Sequence, residues 1–154
     1  MRWAQGRDRI DAMLTAGQLE RVPPSREHAD TMLVQAERHI ALAHSGVATD
    51  PTGSYQLVYD ASRKALASIL ENQGLRATSR GGHIAVLEAV TAQLDPPLGQ
   101  ALRPFDRMRR RRNSAEYPRP DTPAITPDDV MRDIAKAEEF VALATKVLDQ
   151  MSPY

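Results

Sequence analysis

The run Phe105-Asp106-Arg107-Met108-Arg109-Arg110-Arg111-Arg112-Asn113-Ser114-Ala115-Glu116-Tyr117 is where this sequence concentrates groups able to do chemistry. The chain has no cysteine, so thiol nucleophiles, disulfides and thiolate metal sites are excluded; Arg, carboxylates, hydroxyls and four histidines remain. Placed on a helix, the run divides its arginines into two kinds. An apolar stripe descends through Leu98, Leu102, Phe105 and Met108, and the next positions on that face are Arg112 and Ala115. Arg112 is therefore expected to point toward the packed side, while Arg107, Arg110 and Arg111 fall away from the stripe toward solvent. A guanidinium driven inward needs a partner, because an unpaired buried charge costs several kcal/mol. Glu116, four residues on, is the local candidate. Two uses of the run follow: an electropositive groove for a phosphate backbone, or a set of structural ion pairs under a solvated basic face.

The elements that must position this run read as helices almost throughout, since no segment alternates apolar and polar residues as a half-buried strand would. Ile10, Met13, Leu14 and Leu19 predict a short first helix stopped near Gly17 and by Pro23-Pro24. Ser25 is a candidate N-cap for a second helix ending at Gly46, and the loop 48–53 leads into a third that Gly74 ends. A turn at Thr78-Ser79-Arg80-Gly81-Gly82 precedes a helix from His83 to Leu94, broken by Asp95-Pro96-Pro97. Pro104 predicts a kink or a late start in the segment that carries the arginines, and Tyr117 before Pro118 predicts its end. Beyond the proline-rich stretch 118–126, Thr126-Pro127-Asp128-Asp129 supplies an N-cap, a proline at N1 and two acids for a last helix running to about Met151. The expected fold is all-α, an antiparallel bundle of five to six helices in a single domain, 1–154.

Length and composition agree with this. The 154 residues, 42% of them hydrophobic, are enough to bury a core, and the low-hydrophobicity, high-charge composition of disordered chains is absent. No stretch approaches the roughly 20 apolar residues of a membrane span, and the start MRWAQGRDRIDAML carries charges where a signal peptide needs an apolar run, which predicts a cytoplasmic protein. The zero formal charge hides a strong asymmetry. Residues 1–62 hold 6 basic and 8 acidic groups, residues 63–119 hold 11 and 5, and residues 120–154 hold 3 and 7. A basic middle thus lies between acidic ends, which could neutralise it by packing or leave it free for a polyanion.

At the end of a helix in an all-α chain, Arg112-Asn113-Ser114-Ala115-Glu116-Tyr117 resembles the signature of the HEPN domains (higher eukaryotes and prokaryotes nucleotide-binding). That signature is an Arg, a polar residue such as Asn, three further residues and a His. The layout is also similar, with Tyr59-Asp60-Ala61-Ser62-Arg63-Lys64-Ala65-Leu66 on a middle helix, a short helix after Gly82-His83, the motif helix and a long last helix. The likeness covers about residues 25–150, leaves the amino-terminal helix 1–20 as an accessory, and is closest to small actinobacterial-type members with an Arg-rich RNxxEY stretch.

The resemblance implies a homodimer whose two motif helices face a shared cleft, binding RNA or a nucleotide in a toxin–antitoxin or defence setting. It further implies, in active members, a metal-independent ribonuclease, often encoded beside a nucleotidyltransferase-type antitoxin. Carried over by position, Arg112 holds the phosphate, Asn113 supports it, and Tyr117 stands where the family has its His. A phenol is ionised in only about one part in a thousand at pH 7, whereas an imidazole is poised near 6.5. The expectation is therefore a binding protein with weakened or lost cleavage, and Glu116 is the alternative proton acceptor if Arg111 is taken as the motif Arg. Arg107, Arg109, Arg110, Arg111 and His83 are the expected nucleic-acid contacts.

The histidines and acids add little metal chemistry. His28 and His39 are eleven residues apart, about 16 Å along a helix axis, and His39 and His44 are five apart, so neither pair suits joint ligation. His28, His39 and His44 read as surface or half-buried helix residues. His83 differs, because a helix start favours anions and a neutral imidazole, and it serves there as a phosphate contact, an acid/base group or a simple cap. Asp128, Asp129 and Asp133 are expected to complement the last helix's dipole. No metal and no cofactor is expected. The competing reading is a helical interaction module whose arginines bind an acidic partner or the chain's own acidic helices; where the arginines point separates the two.

Overall fold

The computed structural model describes residues 3–154 and is all-α apart from one tiny sheet. In chain order it comprises α1 (Arg7–Thr15), β1 (Leu19–Arg21), α2 (Arg26–Gly46), α3 (Pro51–Gln73), β2 (Leu75–Ala77), α4 (Gly82–Leu94), α5 (Gly99–Leu102), α6 (Pro104–Glu116) and α7 (Pro127–Leu148). Six of these helices have nine residues or more, and α5 is a single turn of four. Side chains cap the long helices as their sequences indicate. Ser25 accepts from the His28 amide at 3.0 Å, and Thr126 and Asp129 form a reciprocal capping box with Pro127 at the first turn.

The α2–α3 pair is the most extensive in the fold, and α7 packs against both. Their buried faces are rich in alanine, with Ala29, Ala36, Ala43, Ala61, Ala65, Ala137 and Ala144 all inaccessible, so backbones can approach closely. An aromatic column runs through this core. Tyr59 of α3 lies 5.5 Å from Phe105 of α6, and Phe105 meets Phe140 of α7 edge to face at 6.1 Å. Phe105 and Met108 are the only fully buried side chains of α6. Beyond that apolar anchor, polar contacts must hold the arginine-bearing half of the helix.

Two expectations change. Leu19 belongs not to the first helix but to β1, which pairs antiparallel with β2 in the register Leu19↔Ala77 and Arg21↔Leu75. Three-residue strands are too short to show alternation, and this ladder exists only because α3 ends beside the chain entering α2. Next, α3 starts at Pro51, inside the expected loop, because Asp50 caps it by accepting from the Gly53 amide at 3.0 Å. The late start expected at Pro104 is found: α5 ends at Leu102 and the arginine-bearing α6 begins at Pro104, since proline lacks the amide that would continue α5.

The turn that carries His83 depends on two glycines. A Cβ at Gly81 would collide with the Gln18 carbonyl oxygen, and Gly82 has φ of 60°. Thr78 closes the turn by accepting from the Gly81 amide at 3.3 Å and donating to the Gly17 carbonyl. α4 is thereby fixed against the end of α1, with its amino terminus beside α6.

Candidate functional site

On the side of α6 that faces α7, the arginines are held by the protein itself. Arg107 grips Asp133 with both terminal nitrogens, Nη2 to Oδ1 at 2.7 Å and Nη1 to Oδ2 at 3.1 Å. Asp133 is fully buried and also accepts from the Tyr55 hydroxyl at 2.7 Å. Burial first, and the adjacent carboxylate second, push the Tyr55 phenol far above its ordinary value, so it remains a donor. Arg111 donates to the carbonyls of Pro123 and Ala124, each at 3.0 Å, and pairs with Asp129 at 3.3 Å. The expected placement toward solvent holds for Arg107 and Arg110, which are exposed, and fails for Arg111. Arg107 keeps 44% of its side chain accessible, but its charge is spent on a buried acid, and only 24% of Arg111 is accessible. Projection from the apolar stripe could not register this, because a guanidinium on a long stem reaches across an interface to partners distant in sequence. Asp133 is corrected likewise, from helix-dipole complement to buried anchor, whereas Asp129 combines its capping role with the Arg111 contact.

The opposite side of α6 faces α3 and the start of α4. Arg112 lies toward the packed side as its position predicts. Its Nη1 is 2.6 Å from the Glu116 carboxylate and 3.2 Å from Asn113 Oδ1, its Nε donates to Gln56 at 2.9 Å, and its guanidinium sits 5.8 Å from the centre of the Tyr59 ring. Arg109, 20% accessible, pairs with Asp106 at 2.9 Å, and Arg110, 70% accessible, shares that carboxylate at 3.2 Å. Across the junction, Arg63 of α3 grips Asp60 at 2.6 Å, and Lys64 and His39 each stand 3.4 Å from the second Asp60 oxygen.

His83 completes this junction. Its Nδ1 is 2.8 Å from the Tyr59 hydroxyl, and the two rings are 5.6 Å apart. Burial pushes the Tyr59 phenol up to about 12, so it keeps its proton and is assigned as the donor. That assignment puts the imidazole proton on Nε2. Although His83 as a residue is exposed, desolvation of its ring, followed by the charges of Arg63 and Arg112, holds it below the usual histidine value. His39 is lowered for the same first reason, with Lys64 next. Burial works against ionisation of Asp60, but hydrogen bonding and charge from Arg63, then Lys64, hold its carboxyl below the ordinary range.

The arginines of the two sides differ in what they leave unused. Arg107 and Arg111 commit both terminal nitrogens to protein acceptors. Among the described residues no acceptor is bound to Nη2 of Arg112, Nη1 of Arg109 or Nη1 of Arg63. Five cations, Arg63, Lys64, Arg109, Arg110 and Arg112, share three carboxylates, Asp60, Asp106 and Glu116. The junction carries a local surplus of positive charge. An open depression there is lined by Gly81, Gly82, His83, Ile84, Arg109 and Asn113.

Arg109, Arg112, Asn113 and His83 are thus brought together. Tyr117 is not with them: 75% exposed, it lines a separate depression with Arg111, Ser114, Arg119 and the 121–123 turn, which only Asn113 shares. Glu116 is occupied by Arg112. Tyr59, Asp60, Arg63 and Gln56 escaped the sequence reading as site residues, although Gln56, Asp60 and Arg63 recur at four- and three-residue steps along one face of α3. Among the described residues no group of three or more His, Asp or Glu side chains is arranged to hold a metal ion, and no helix is long and apolar enough to cross a membrane. Comparison with models of known families, with curated proteins and with solved structures finds no match to this chain.

Proposed function

We propose that this chain binds RNA or a nucleotide by its phosphate at the junction of α3, α4 and α6. The observation that carries the reading is the convergence of Arg63, Arg109 and Arg112, each with an uncommitted terminal nitrogen, around His83. A guanidinium fork matches phosphate oxygens in geometry and charge, and desolvation by neighbouring side chains strengthens each contact. His83, neutral and carrying its proton on Nε2, adds a donor that needs no ionisation. Asn113 supports Arg112 at its Nη1.

The same arrangement favours binding over cleavage. A base must have a free lone pair directed at the hydroxyl it deprotonates and gain by taking the proton; Nδ1 of His83 is occupied by Tyr59, Glu116 is held as a carboxylate against the Arg112 guanidinium, and Tyr117 lies in another depression. The chain is read as a HEPN-like homodimer with α6 facing the shared cleft, acting in a toxin–antitoxin or defence setting, with a nucleotidyltransferase-type antitoxin as its candidate partner. The alternative of a pure interaction module draws on Arg107 and Arg111, whose charges are absorbed by α7, but leaves the charge surplus on the other side without a role.

The test is fluorescence anisotropy of labelled single-stranded RNA with the native chain and Arg112→Ala at several salt concentrations, followed by a gel of the same RNA after metal-free incubation. The expected result is a steep salt dependence, about tenfold weaker binding in the variant and intact RNA. No binding at low salt would leave the interaction module; fragments lost in the variant would establish a ribonuclease.

A further inference from the structure

Next to the proposed phosphate site lies a larger, open cavity, about 440 Å³, lined by α2, α3, β2, the turn after it and the first turn of α4. Gly82 and His83 line both this cavity and the depression at Arg109 and Asn113, so the two meet at the start of α4. The cavity's walls are apolar, formed by Met32, Ala67, Leu70, Leu75 and Val86. Its charged and imidazole groups stand in two places, with the Thr78 and Ser79 hydroxyl residues on the turn between β2 and α4. At the end nearest the phosphate site are Arg63 and His83. Elsewhere in the lining Glu71, 8% accessible in its side chain, accepts from Arg76 Nε at 2.7 Å and Nη2 at 3.3 Å.

This pattern fits one kind of guest. A nucleobase has two flat apolar faces and a polar edge, so it gains from apolar walls only where donors and acceptors meet that edge. A carboxylate offers about four acceptor sites, of which Arg76 takes two, leaving Glu71 able to accept base N–H groups. The charged end of the same guest must leave the cavity where Arg63 and His83 stand, and there it meets Arg109 and Arg112. We infer that this cavity seats the base of the nucleotide unit whose phosphate lies at the α3–α4–α6 junction, making it the specificity pocket of the site. The inference rests on the phosphate reading above and adds what that reading lacks, a way to distinguish a nucleotide from any other phosphate.

The assignment is tested by calorimetric titration of the full chain with adenosine 5′-monophosphate and with ribose 5-phosphate, which carries the same phosphate and sugar but no base. The nucleotide is expected to bind at least tenfold more tightly. Ala67→Leu fills the cavity from α3, and Ser79→Trp fills it from the exposed turn, where a fold-wide effect is avoided. Either variant should bring the nucleotide to within about twofold of ribose 5-phosphate while leaving ribose 5-phosphate unchanged, and Arg112→Ala should weaken both by the same factor. Equal affinities in the native chain, with ribose 5-phosphate still bound, would overturn the base pocket alone. So would a nucleotide affinity unmoved by both filling variants. Binding of neither ligand, together with none of a four-residue oligoadenylate, would overturn the phosphate reading and the pocket with it. A competition between that oligoadenylate and the mononucleotide identifies whether the base comes from a strand or a free nucleotide.

Discussion

The two sides of α6 carry the same residue type and do opposite things with it. Toward α7, Arg107 and Arg111 are consumed by Asp133, Asp129 and two carbonyls; toward α3 and α4, Arg109 shares Asp106 with Arg110, Arg112 pairs with Glu116, and each keeps a terminal nitrogen in reserve. The difference arises in what pairs with them. The α7 side presents a fully buried carboxylate that must be neutralised, whereas on the α3 side the arginines pair with half-exposed acids of α6 itself, Asp106 and Glu116, while Asp60 of α3 is held by Arg63, Lys64 and His39. An arginine run is therefore not one functional unit, and its count says less than its distribution of partners. Anchoring on one face also helps fix the geometry of the other, since Phe105 and Met108 are the only fully buried side chains by which α6 joins the apolar core, with Ala115 partly buried beside them.

The sharpest way to break this comparison is to remove the anchor. Arg107→Ala strips Asp133 of its two close guanidinium contacts and leaves only Arg132 at 3.9 Å, and loss of one partner of a buried pair costs up to about 3 kcal/mol. Urea denaturation should show a lowered midpoint of about that size, with RNA affinity retained wherever the variant is folded. Next in size is Arg112→Ala, whose partners are partly exposed: about a tenfold loss of RNA binding, a salt slope smaller by about one phosphate contact, and a melting temperature close to native.

A smaller effect is expected from pH. His39 and His83 both have folded-state values below the ordinary 6.5, so above that value neither state is protonated and nothing is lost. As pH falls through about 6.5 the unfolded chain binds protons that the folded chain resists, and stability drops, by no more than roughly 1.4 kcal/mol per pH unit for each of the two histidines. Denaturation at pH 7 and pH 5.5 should show this loss, reduced in a His39→Gln, His83→Gln double variant; an equal loss there would show that other groups cause it. Smallest of all is Arg110→Ala. With 70% of its side chain in solvent and one shared acid, it should change stability by less than about 0.5 kcal/mol and alter RNA binding only at low salt.

Local signals were legible and cross-chain ones were not. The start of α7 is spelled out in Thr126-Pro127-Asp128-Asp129, because caps and N1 prolines act within one turn. The end of α3 at Gly74 is legible for the same reason, its φ of 86° suiting glycine. Arg112 was placed by the apolar stripe and Glu116 by its four-residue spacing. By contrast, Arg107 finds Asp133 twenty-six residues away, and His83 finds Tyr59 twenty-four residues away, through the packing of whole helices. No spacing rule reaches that far. Tyr117, singled out by its place in the hexapeptide, lies at the C-cap beyond the last turn of α6 and points to the wrong depression.

The central claim is that α6 divides its arginines between anchoring and binding. Its most direct test is to measure melting temperature and RNA affinity side by side for Arg111→Ala and Arg112→Ala. The account expects Arg111→Ala to lower the melting temperature while leaving RNA affinity within about twofold, and Arg112→Ala to do the reverse with about a tenfold loss. Equal losses of affinity in both variants, or a native chain that binds no RNA at low salt, would contradict it.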